Sequence, residues 1–322
     1  NFILENISED LPMSYVEDFS DIRNQASSLP NKKKTIFTMH SIHNNDFFRI
    51  YVAEAMRKRS KLIISDHGGG LRKNLSMLEK NYYKKIATKR ISWSKQLDKN
   101  FYLNLSPTIP IIKKKPKTEI NENGFLTVVH YECSRYMTRV QSIPFLSDEI
   151  RNLRYLKKFL KNLKINIRNK TKYRLKEKSS INAQKIISNT FGRKIISKPS
   201  KKNSFHKALS ESKLIVLTYP TTSFSEAMYL NVPSILICDT KTWEFNKLSL
   251  KIFNILVKNK IAFKNYEQAN KHINQTWDNL GLWWKNKKTQ SARMYYLKNF
   301  FNVKTNWYNQ WQDYIKKIRT SK

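Results

Sequence analysis

Glycine and cysteine are scarce in this chain, and each scarcity excludes a class of structure. Of 322 residues, 6 are glycine and 2 are cysteine. Cys133 and Cys238 have neither CxxC nor metal-ligand spacing, which argues against a disulfide framework or a zinc cluster and for buried thiols. The longest apolar runs, such as Leu214 to Leu217, are too short to span a bilayer, and no cleavable signal pattern opens the chain. We therefore expect a cytoplasmic protein.

Negative charge is scarce as well. The chain has 24 Asp and Glu against 61 Lys and Arg, a formal net charge of +37. Such a charge attracts nucleic acid, anionic lipid, or phosphorylated and carboxylated substrates, although abundant Asn and Ile indicate that an AT-rich coding bias supplies much of the lysine. The basic runs are scattered, and the chain has no zinc-finger, KH or RRM signature. We expect no nucleic-acid partner and keep a basic nucleic-acid-binding protein as an alternative.

Two series of alternating strands and helices predict an α/β protein with two Rossmann-like domains. The predicted division is an N-terminal domain at 1–105, a linker rich in proline and lysine at 106–124, a second domain at 125–282 and closing helices at 283–322. Because the chain begins with Asn and its first thirty residues read as the end of a longer element, we expect the first domain to be truncated.

Apolar runs and helical periodicity place the elements around two turns. The predicted strands are Thr35–Met39, Lys61–Ser65, Phe125–Tyr131, Lys164–Arg168, Arg193–Ser197, Lys213–Thr218 and Ser234–Cys238. The predicted helices are Asn45–Arg59, Ser147–Asn162, Phe205–Ser212 and Phe224 to about Asn231, with one or two closing helices from Trp283.

The turn YPTTSFS, Tyr219–Ser225, clusters hydroxyl side chains where a parallel strand ends and a helix begins. The first amides of a helix are unpaired and the helix dipole is positive there, so this turn favours an anion. Thr221, Thr222 and Ser223 would add hydroxyl donors, or one of them would only cap the helix. We predict an anion-binding turn with these three residues.

The segment SEAMYLNVP, Ser225–Pro233, resembles the E-A-x-x-x-G-x-P signature in the nucleotide-binding domain of GT-B glycosyltransferases, with Asn231 in place of glycine. Asn also accepts the left-handed conformation that follows many helices. Together with three further segments, the chain resembles a family of transferases of O-antigen and surface-polysaccharide biosynthesis from about Thr35 to Trp311. Those segments are SDHGGG (65–70), FNILVKNKIAF (253–263) and DNLGLWW (278–284).

The resemblance implies a GT-B-like fold, in which two Rossmann-like domains face each other across a cleft, and a nucleotide-sugar donor with no other cofactor. It implies that Glu226 bonds the ribose of the donor. Arg135 and Arg139, in CSRYMTRV, resemble an arginine-bearing loop of the family, and Arg168 ends the predicted strand KINIR. Arginine suits phosphate and carboxylate, so all three are candidate donor contacts, although each could equally be a solvated surface group.

The other turn, SDHGGGLRK, holds half of the glycines of the chain, Gly68, Gly69 and Gly70. Glycine is favoured where the backbone needs positive φ or where another group approaches closely. We predict that bare amides of this turn bind donor phosphate or the acceptor. The family usually has Gln where this chain has Asp66, and a Gly-Tyr-Gly-like continuation where it has Leu71-Arg72-Lys73.

Histidine side chains supply the candidate proton carriers. His67 is the predicted base toward the acceptor hydroxyl or acid toward the leaving phosphate, or else a residue that only fixes the turn. Asp66 would orient His67 or act as the base itself. His40 and His43 follow an earlier strand and could line the cleft, but no third ligand accompanies them, so no metal site is predicted. His130, on a buried strand, is predicted to be a core histidine.

The predicted activity is metal-independent transfer of a sugar from a nucleotide-activated donor to a surface-polysaccharide or O-antigen acceptor. The chain has no DxD-type pair of acids near a strand end, which favours the metal-free reaction. The donor candidates are a CMP-activated acidic sugar, a UDP sugar and a GDP sugar. A glycan or lipid-linked glycan is the expected acceptor, with peripheral contact at an anionic inner membrane. An inactive scaffold of a polysaccharide assembly complex is the other alternative.

Overall fold

The computed structural model describes residues 5–7, 9, 11–29, 35–71, 77–95, 99–131, 146–175, 182–200, 202–243 and 245–320. Contacts divide the chain into two compact units. Unit 1 comprises residues 1–67, 77–105 and 305–322, and unit 2 comprises residues 68–76 and 106–304. By these contacts the glycine turn belongs to unit 2 and the C-terminal helix to unit 1.

Unit 1 is built on a parallel sheet in the order β1-β2-β3-β4. Its strands are β1 (Thr35–Thr38), β2 (Lys61–Ser65), β3 (Lys89–Ser92) and β4 (Tyr102–Asn104). Its helices are α1 (Phe19–Ser28), α2 (Ser41–Asn44), α3 (Asp46–Arg57), α4 (Met77–Ile86) and α14 (Trp307–Thr320). The Asn45 side chain caps α3 by accepting from the Phe48 amide at 2.8 Å. Trp311 of α14 packs with Ile63, Ile91 and Leu105 in one core cluster of this unit.

Unit 2 is built on a parallel sheet in the order β6-β5-β7-β8-β9. Its strands are β5 (Phe125–His130), β6 (Thr171–Leu175), β7 (Ser212–Leu217), β8 (Ser234–Ile237) and β9 (Ala262–Phe263). Its helices are α5 (Leu146–Lys161), α6 (Ile165–Asn169), α7 (Ala183–Phe191), α8 (Phe205–Glu211), α9 (Thr222–Tyr229), α10 (Lys247–Lys258), α11 (Tyr266–Thr276), α12 (Leu280–Trp284) and α13 (Lys287–Phe300). Short 3₁₀ turns lie at Met13–Tyr15, Pro110–Lys113, Arg193–Ile195 and Trp277–Asn279.

The central strands of unit 2 are apolar on both faces, as expected for a covered parallel sheet. Every residue of β7 is buried. Val128 of β5, Tyr173 of β6 and Val216 of β7 share one core cluster, which α5 and α11 help to form. No helix among the described residues combines the length and the apolar composition that a membrane crossing requires.

Two predicted strands are wrong. Residues 164–168 hold the helix α6, and the strand follows it as β6. Residues 193–195 form a 3₁₀ turn, and a bridge between Tyr173 and Ile196 is among the contacts that join this segment to β6. The run KINIR has only two apolar residues, of which Ile167 is buried and Ile165 is 61% exposed, so its periodicity could not distinguish a strand from a helical turn.

The predicted linker packs along unit 2. Ile111 and Ile112 are buried. The Lys117 ammonium donates to the carbonyls of Leu209 and Ser210 at the end of α8, and its backbone amide donates to Leu230 beyond α9. These contacts attach residues 106–124 to the helices that flank β7.

Candidate active site

The candidate site lies at the topological switch point of the unit 2 sheet, where the strand order reverses. Strand β6 lies on one side of β5, and β7, β8 and β9 follow on the other side. In open parallel sheets, ligands bind in the crevice at the carboxyl ends of the two strands where this reversal occurs. Here those strands are β5 and β7, and the chain that leaves β7 enters the hydroxyl-rich turn and α9.

Buried polar side chains occupy the ends of β5 and β7 below this turn. The two ring nitrogens of His130 lie 2.9 Å from Thr218 Oγ1 and 2.5 Å from Glu149 Oε1. His130 and Glu149 are each 1% exposed. His130 is therefore a satisfied core residue, as predicted, and it fixes the start of α5 to the carboxyl ends of both strands.

Helix α9 begins without a side-chain cap. Thr221, at the N-cap position, is extended and makes no capping hydrogen bond. Its Oγ1 atom is buried and has no hydrogen-bond partner among the described residues. The first helical bonds to Thr221 O come from Phe224 and Ser225, so the amides of Thr222 and Ser223 precede the intrahelical ladder. Capping is thus not the role of the Thr221 hydroxyl.

The body of α9 is held by buried polar contacts to α13. Ser225 Oγ lies 2.7 Å from the Tyr296 hydroxyl. At the other end, Arg293 Nη1 donates to Met228 O at 2.6 Å. Burial lowers the pKa of Arg293 to about 10, which leaves it charged at neutral pH, and a cation at a helix C-terminus is stabilising.

Asn231 ends this segment in the predicted left-handed conformation, with φ 58°. The Trp284 indole N–H donates to its side-chain oxygen at 3.0 Å. Trp284 is 1% exposed, and the neighbouring Trp283 donates to Asn259 O. Both tryptophans therefore fix the helices of unit 2 to each other.

The three glycines pack against the hydroxyl-rich turn. Gly70 has φ 141°, and a Cβ atom there would lie 2.5 Å from Pro220 O and 2.9 Å from Thr221 Cα. No real side chain tolerates such distances to backbone, so the turn requires glycine at this position. The close approach that the glycines serve is therefore that of the protein's own chain.

Gly68 and Gly69 contact the side chain of Thr222. The Gly69 amide donates to Thr222 Oγ1 at 3.0 Å, and a Cβ atom on Gly68 would lie 2.9 Å from the same oxygen. The prediction of a bare amide facing a ligand is wrong for Gly69, because Thr222 occupies that amide. The Thr222 hydroxyl accepts in this bond, so its own proton can donate elsewhere.

Glu226 lies on α9, four residues beyond Thr222. Its Oε1 atom is 3.7 Å from His206 Nε2 on α8. Burial, with a smaller contribution from Lys114, lowers the pKa of His206. The imidazole is therefore neutral at pH 7, and the contact is a polar one between a carboxylate and a neutral ring rather than an ion pair.

The structure describes one of the three predicted arginines and adds an arginine that the sequence argument missed. Arg135 and Arg139 lie outside the described residues. Arg168 lies on α6, before the amino end of β6, and donates to Lys161 O, so the strand-end placement that motivated its prediction is wrong. Arg174 lies at the carboxyl end of β6 instead, 4% exposed. The wrong strand prediction at KINIR concealed Arg174. An arginine next to the last residue of the short strand TKYRL is the signal that could have found it.

Asp66, at the carboxyl end of β2 in unit 1, is buried, and both of its carboxylate oxygens make polar contacts. Its Oδ2 atom accepts from the Trp93 amide at 2.9 Å, and its Oδ1 atom lies 3.3 Å from Arg90 Nη2. Arg90 in turn stacks on the Tyr83 ring, with its Cζ atom 4.2 Å from the ring centroid. These bonds couple Asp66 to β3, so its predicted role as the base has no support from this geometry.

His67 is exposed, and it belongs to a cluster of three histidines in unit 1. Its ring centroid is 4.5 Å from that of His40, which is 5.7 Å from that of His43. His43 is bonded to the Tyr83 hydroxyl. No three His, Cys, Asp or Glu side chains in the described part of the chain are grouped as a metal site would need. The three histidines thus form a ring cluster beside the carboxyl end of β2.

Comparisons with solved structures agree with this α/β arrangement. A structure from Listeria monocytogenes, provisionally named a UDP-N-acetylglucosamine 2-epimerase, is 12% identical, with 94% of this chain and 79% of that chain covered and a TM-score of 0.56. A glycosyltransferase from Rickettsia africae ESF-5 is 11% identical, with coverage of 94% and 82% and a TM-score of 0.52. At these identities the likeness shows the fold, which is the predicted α/β class of GT-B type.

A crystal structure of a mutant of S. aureus TarM, in complex with Fondaparinux, alpha-GlcNAc-glycerol and UDP, is 14% identical with a TM-score of 0.48. The match covers 83% of this chain and 53% of that chain, so this chain spans about half the length of TarM. No curated protein matches the chain.

The LIC12162 family of transferases matches residues 1–315. The chain belongs to this family, which confirms the resemblance found in the sequence.

Proposed function

We propose that this transferase is a glycosyltransferase that moves a sugar from a nucleotide-activated donor to a surface polysaccharide, with the donor bound at the start of α9. The observation that carries the proposal is the uncapped helix start at the switch point of the second sheet. There, the Thr222 and Ser223 amides and the Thr221 hydroxyl precede any intrahelical bonding. A phosphate at this position accepts from amides at the positive end of the helix dipole.

In the proposed reaction, the acceptor hydroxyl oxygen bonds to the anomeric carbon while the bond from that carbon to the donor phosphate breaks. The bonding pair leaves on the phosphate oxygen, where the helix-terminal amides and hydroxyls stabilise the developing charge. The acceptor proton passes to His67, whose exposed ring suits proton exchange. Glu226 is the proposed partner of the donor ribose. No metal takes part in this scheme.

The proposed setting is the cytoplasmic side of a membrane, with a lipid-linked glycan as acceptor. The net charge of +37 supports contact with an anionic lipid surface. A CMP-activated acidic sugar is the first donor to test, because the hydroxyl-rich turn would meet its single phosphate, and UDP and GDP sugars are the other two.

The test is calorimetric titration of the protein with CMP, UDP and GDP. We expect one nucleotide to bind in preference to the other two, and we expect Glu226→Gln to weaken it about 10- to 100-fold, as the loss of a hydrogen bond to a charged group does. Glu211→Gln is the matched control, because Glu211 ends α8 on the surface and pairs only with Lys207 among the described residues. Failure of all three nucleotides to bind would remove the donor site.

The role of His67 is tested by turnover once the donor is known. We expect His67→Gln to lower kcat about 10²- to 10⁴-fold, the range of general acid–base catalysis. His272→Gln is the control for the loss of a histidine, since His272 lies on α11 against the rings of Phe263 and Trp283. An unchanged kcat in the His67 variant would favour a histidine that only fixes its turn.

A further inference from the structure

Arg174 is a buried cation at the carboxyl end of the second sheet. It is the fourth residue of β6, and it is 4% exposed. Its neighbours in register are Val129 of β5 and, beyond it, Leu217 of β7. Because side chains alternate along strands, these three residues share one face of the sheet. That face is opposite to the one that carries Val128, Tyr173 and Val216.

The described residues satisfy the Arg174 guanidinium only in part. Its Nη2 atom donates to Asn203 O at 2.9 Å. Its Nη1 atom is buried and has no hydrogen-bond partner among the described residues. No acidic side chain of the described residues pairs with it. Burial lowers the pKa of Arg174, and the electrostatic interaction with the Tyr219 hydroxyl opposes this effect.

A loop anchored to β6 holds this side chain in place. The Ser197 amide donates to Tyr173 O at 2.8 Å. The Asn203 side chain donates to Ser197 Oγ and to Lys198 O. The Asn203 carbonyl, which accepts a hydrogen bond from Arg174 Nη2, is therefore fixed relative to β6. This bond orients the guanidinium and so sets the direction of Nη1.

An uncompensated buried charge is costly, and folded proteins rarely retain one without a use. Another buried donor without a hydrogen-bond partner among the described residues is Thr221 Oγ1, two residues beyond Tyr219 along the chain. Tyr219 is the residue whose hydroxyl interacts with Arg174. The segment that carries Tyr219 and Thr221 leads directly into α9.

We infer that Arg174 binds an oxyanion of the donor, a phosphate or carboxylate group, through Nη1. The inference rests on the proposed function for the identity of the ligand, and on the unsatisfied guanidinium for the chemistry. The planar guanidinium, held at Nη2 by Asn203, presents its other edge to two oxygens of one anionic group. Arg174 would then share the donor's negative charge with the amides of α9.

The experiment compares three variants with the wild type. Arg174→Met removes the charge and keeps a long apolar side chain, and Arg174→Lys keeps the charge without the planar fork. Lys172→Met is the matched control, because Lys172 lies on the same strand and face but at its amino end, where it donates to Lys194 O. The probes are CMP, UDP and GDP, their nucleosides, and pyrophosphate, measured by calorimetry and by the shift in Tm.

We expect Arg174→Met to weaken the bound nucleotide about 10- to 100-fold and to leave nucleoside affinity unchanged. Arg174→Lys should give an intermediate loss, and Lys172→Met none. Without ligand, Arg174→Met should melt no lower than Lys172→Met, since it removes an uncompensated charge. A structural role would reverse this pattern: Arg174→Met would melt lower, Arg174→Lys would restore the Tm, and both would bind nucleotide as the wild type does.

The outcomes separate this inference from the proposed function. If pyrophosphate raises the Tm through Arg174 but no nucleotide binds, the anion site stands and the nucleotide donor is wrong. If a nucleotide binds equally to the wild type and all variants, the donor stands and the Arg174 inference is wrong. If neither nucleotide nor pyrophosphate acts on the wild type, both are wrong.

Discussion

The two parallel sheets bury charged side chains at their carboxyl ends in different ways. In unit 1, buried Asp66 is paired with Arg90 and accepts from the Trp93 amide. In unit 2, buried Arg174 has no acidic partner among the described residues, and one of its donors is unsatisfied. A paired buried charge supports a fold, whereas an unpaired one weakens it until a ligand supplies the counter-charge. The charge at the first edge is thus paired within the protein, whereas the second edge carries the site that we propose for the donor anion.

The largest expected effect comes from the glycine turn that packs on the second edge. Gly70→Ala places a Cβ atom 2.5 Å from Pro220 O at a φ of 141°. Backbone strain and the clash together should lower the free energy of unfolding by at least about 4 kcal/mol, as measured by urea denaturation. Gly192→Ala is the control: it shares a positive φ of 84° but has open space around it, so only about 1 kcal/mol is expected. Equal losses would show that the contact with Pro220 is unimportant.

The next effect tests the paired charge of unit 1. Asp66→Ala removes the buried carboxylate that contacts the Arg90 guanidinium and accepts from the Trp93 amide. We expect a loss of about 3 kcal/mol in the free energy of unfolding, again from urea denaturation. Asp21→Ala, at an exposed position in the first turn of α1, should change stability by less than about 1 kcal/mol. A stable Asp66 variant with lost turnover would restore Asp66 as a candidate base.

A third prediction concerns the pKa of His272, which lies on α11 and outside the candidate active site. Burial, with Lys260 adding to it, lowers the pKa of His272 to about 4, from an ordinary value of 6.5. The unfolded chain therefore binds a proton more readily than the folded one between these values, and stability is lost as the pH falls from 6.5 toward 4.

Allowing for partial exposure of the ring, we expect His272 to account for about 2 kcal/mol of this loss. His272→Gln should flatten the stability curve between pH 6.5 and 4 by that amount and leave it unchanged above pH 7. Denaturation at pH 7.5, 6, 5 and 4 measures the difference. A parallel displacement of the two curves at every pH would contradict the assignment.

The smallest expected effect separates two adjacent threonines. Thr222 accepts from the Gly69 amide, whereas the Thr221 hydroxyl has no partner among the described residues. Thr222→Val should therefore cost about 1 kcal/mol of stability, the usual worth of one hydrogen bond. Thr221→Val should cost no stability but weaken the bound nucleotide. If the two variants exchange these phenotypes, the assignment of structural and binding hydroxyls at the start of α9 is reversed.

Local sequence patterns correctly predicted the strands and the helix end that are encoded by a few neighbouring residues. The apolar runs of β2 and β7 each place a buried strand within one residue of its observed bounds. Asn231 adopts the left-handed conformation expected after α9. These features depend on neighbouring residues alone, since a continuous apolar strand and a helix stop are encoded within a few positions. KINIR failed because its two apolar residues fit a strand and a helical turn equally well.

The sequence by itself determined the α/β class, the family and the hydroxyl-rich helix start, because each follows from short-range pattern. Only the tertiary structure decided what the glycines serve, since Gly69 and Thr222 are separated by 153 positions. It also showed that Asp66 contacts Arg90 and the Trp93 amide, and it put Arg174 rather than Arg168 at the sheet's carboxyl end. The physical reason is that contacts between distant segments of the chain set the burial and the pairing of charged groups. These contacts determine which buried polar groups have hydrogen-bond partners within the protein and which do not.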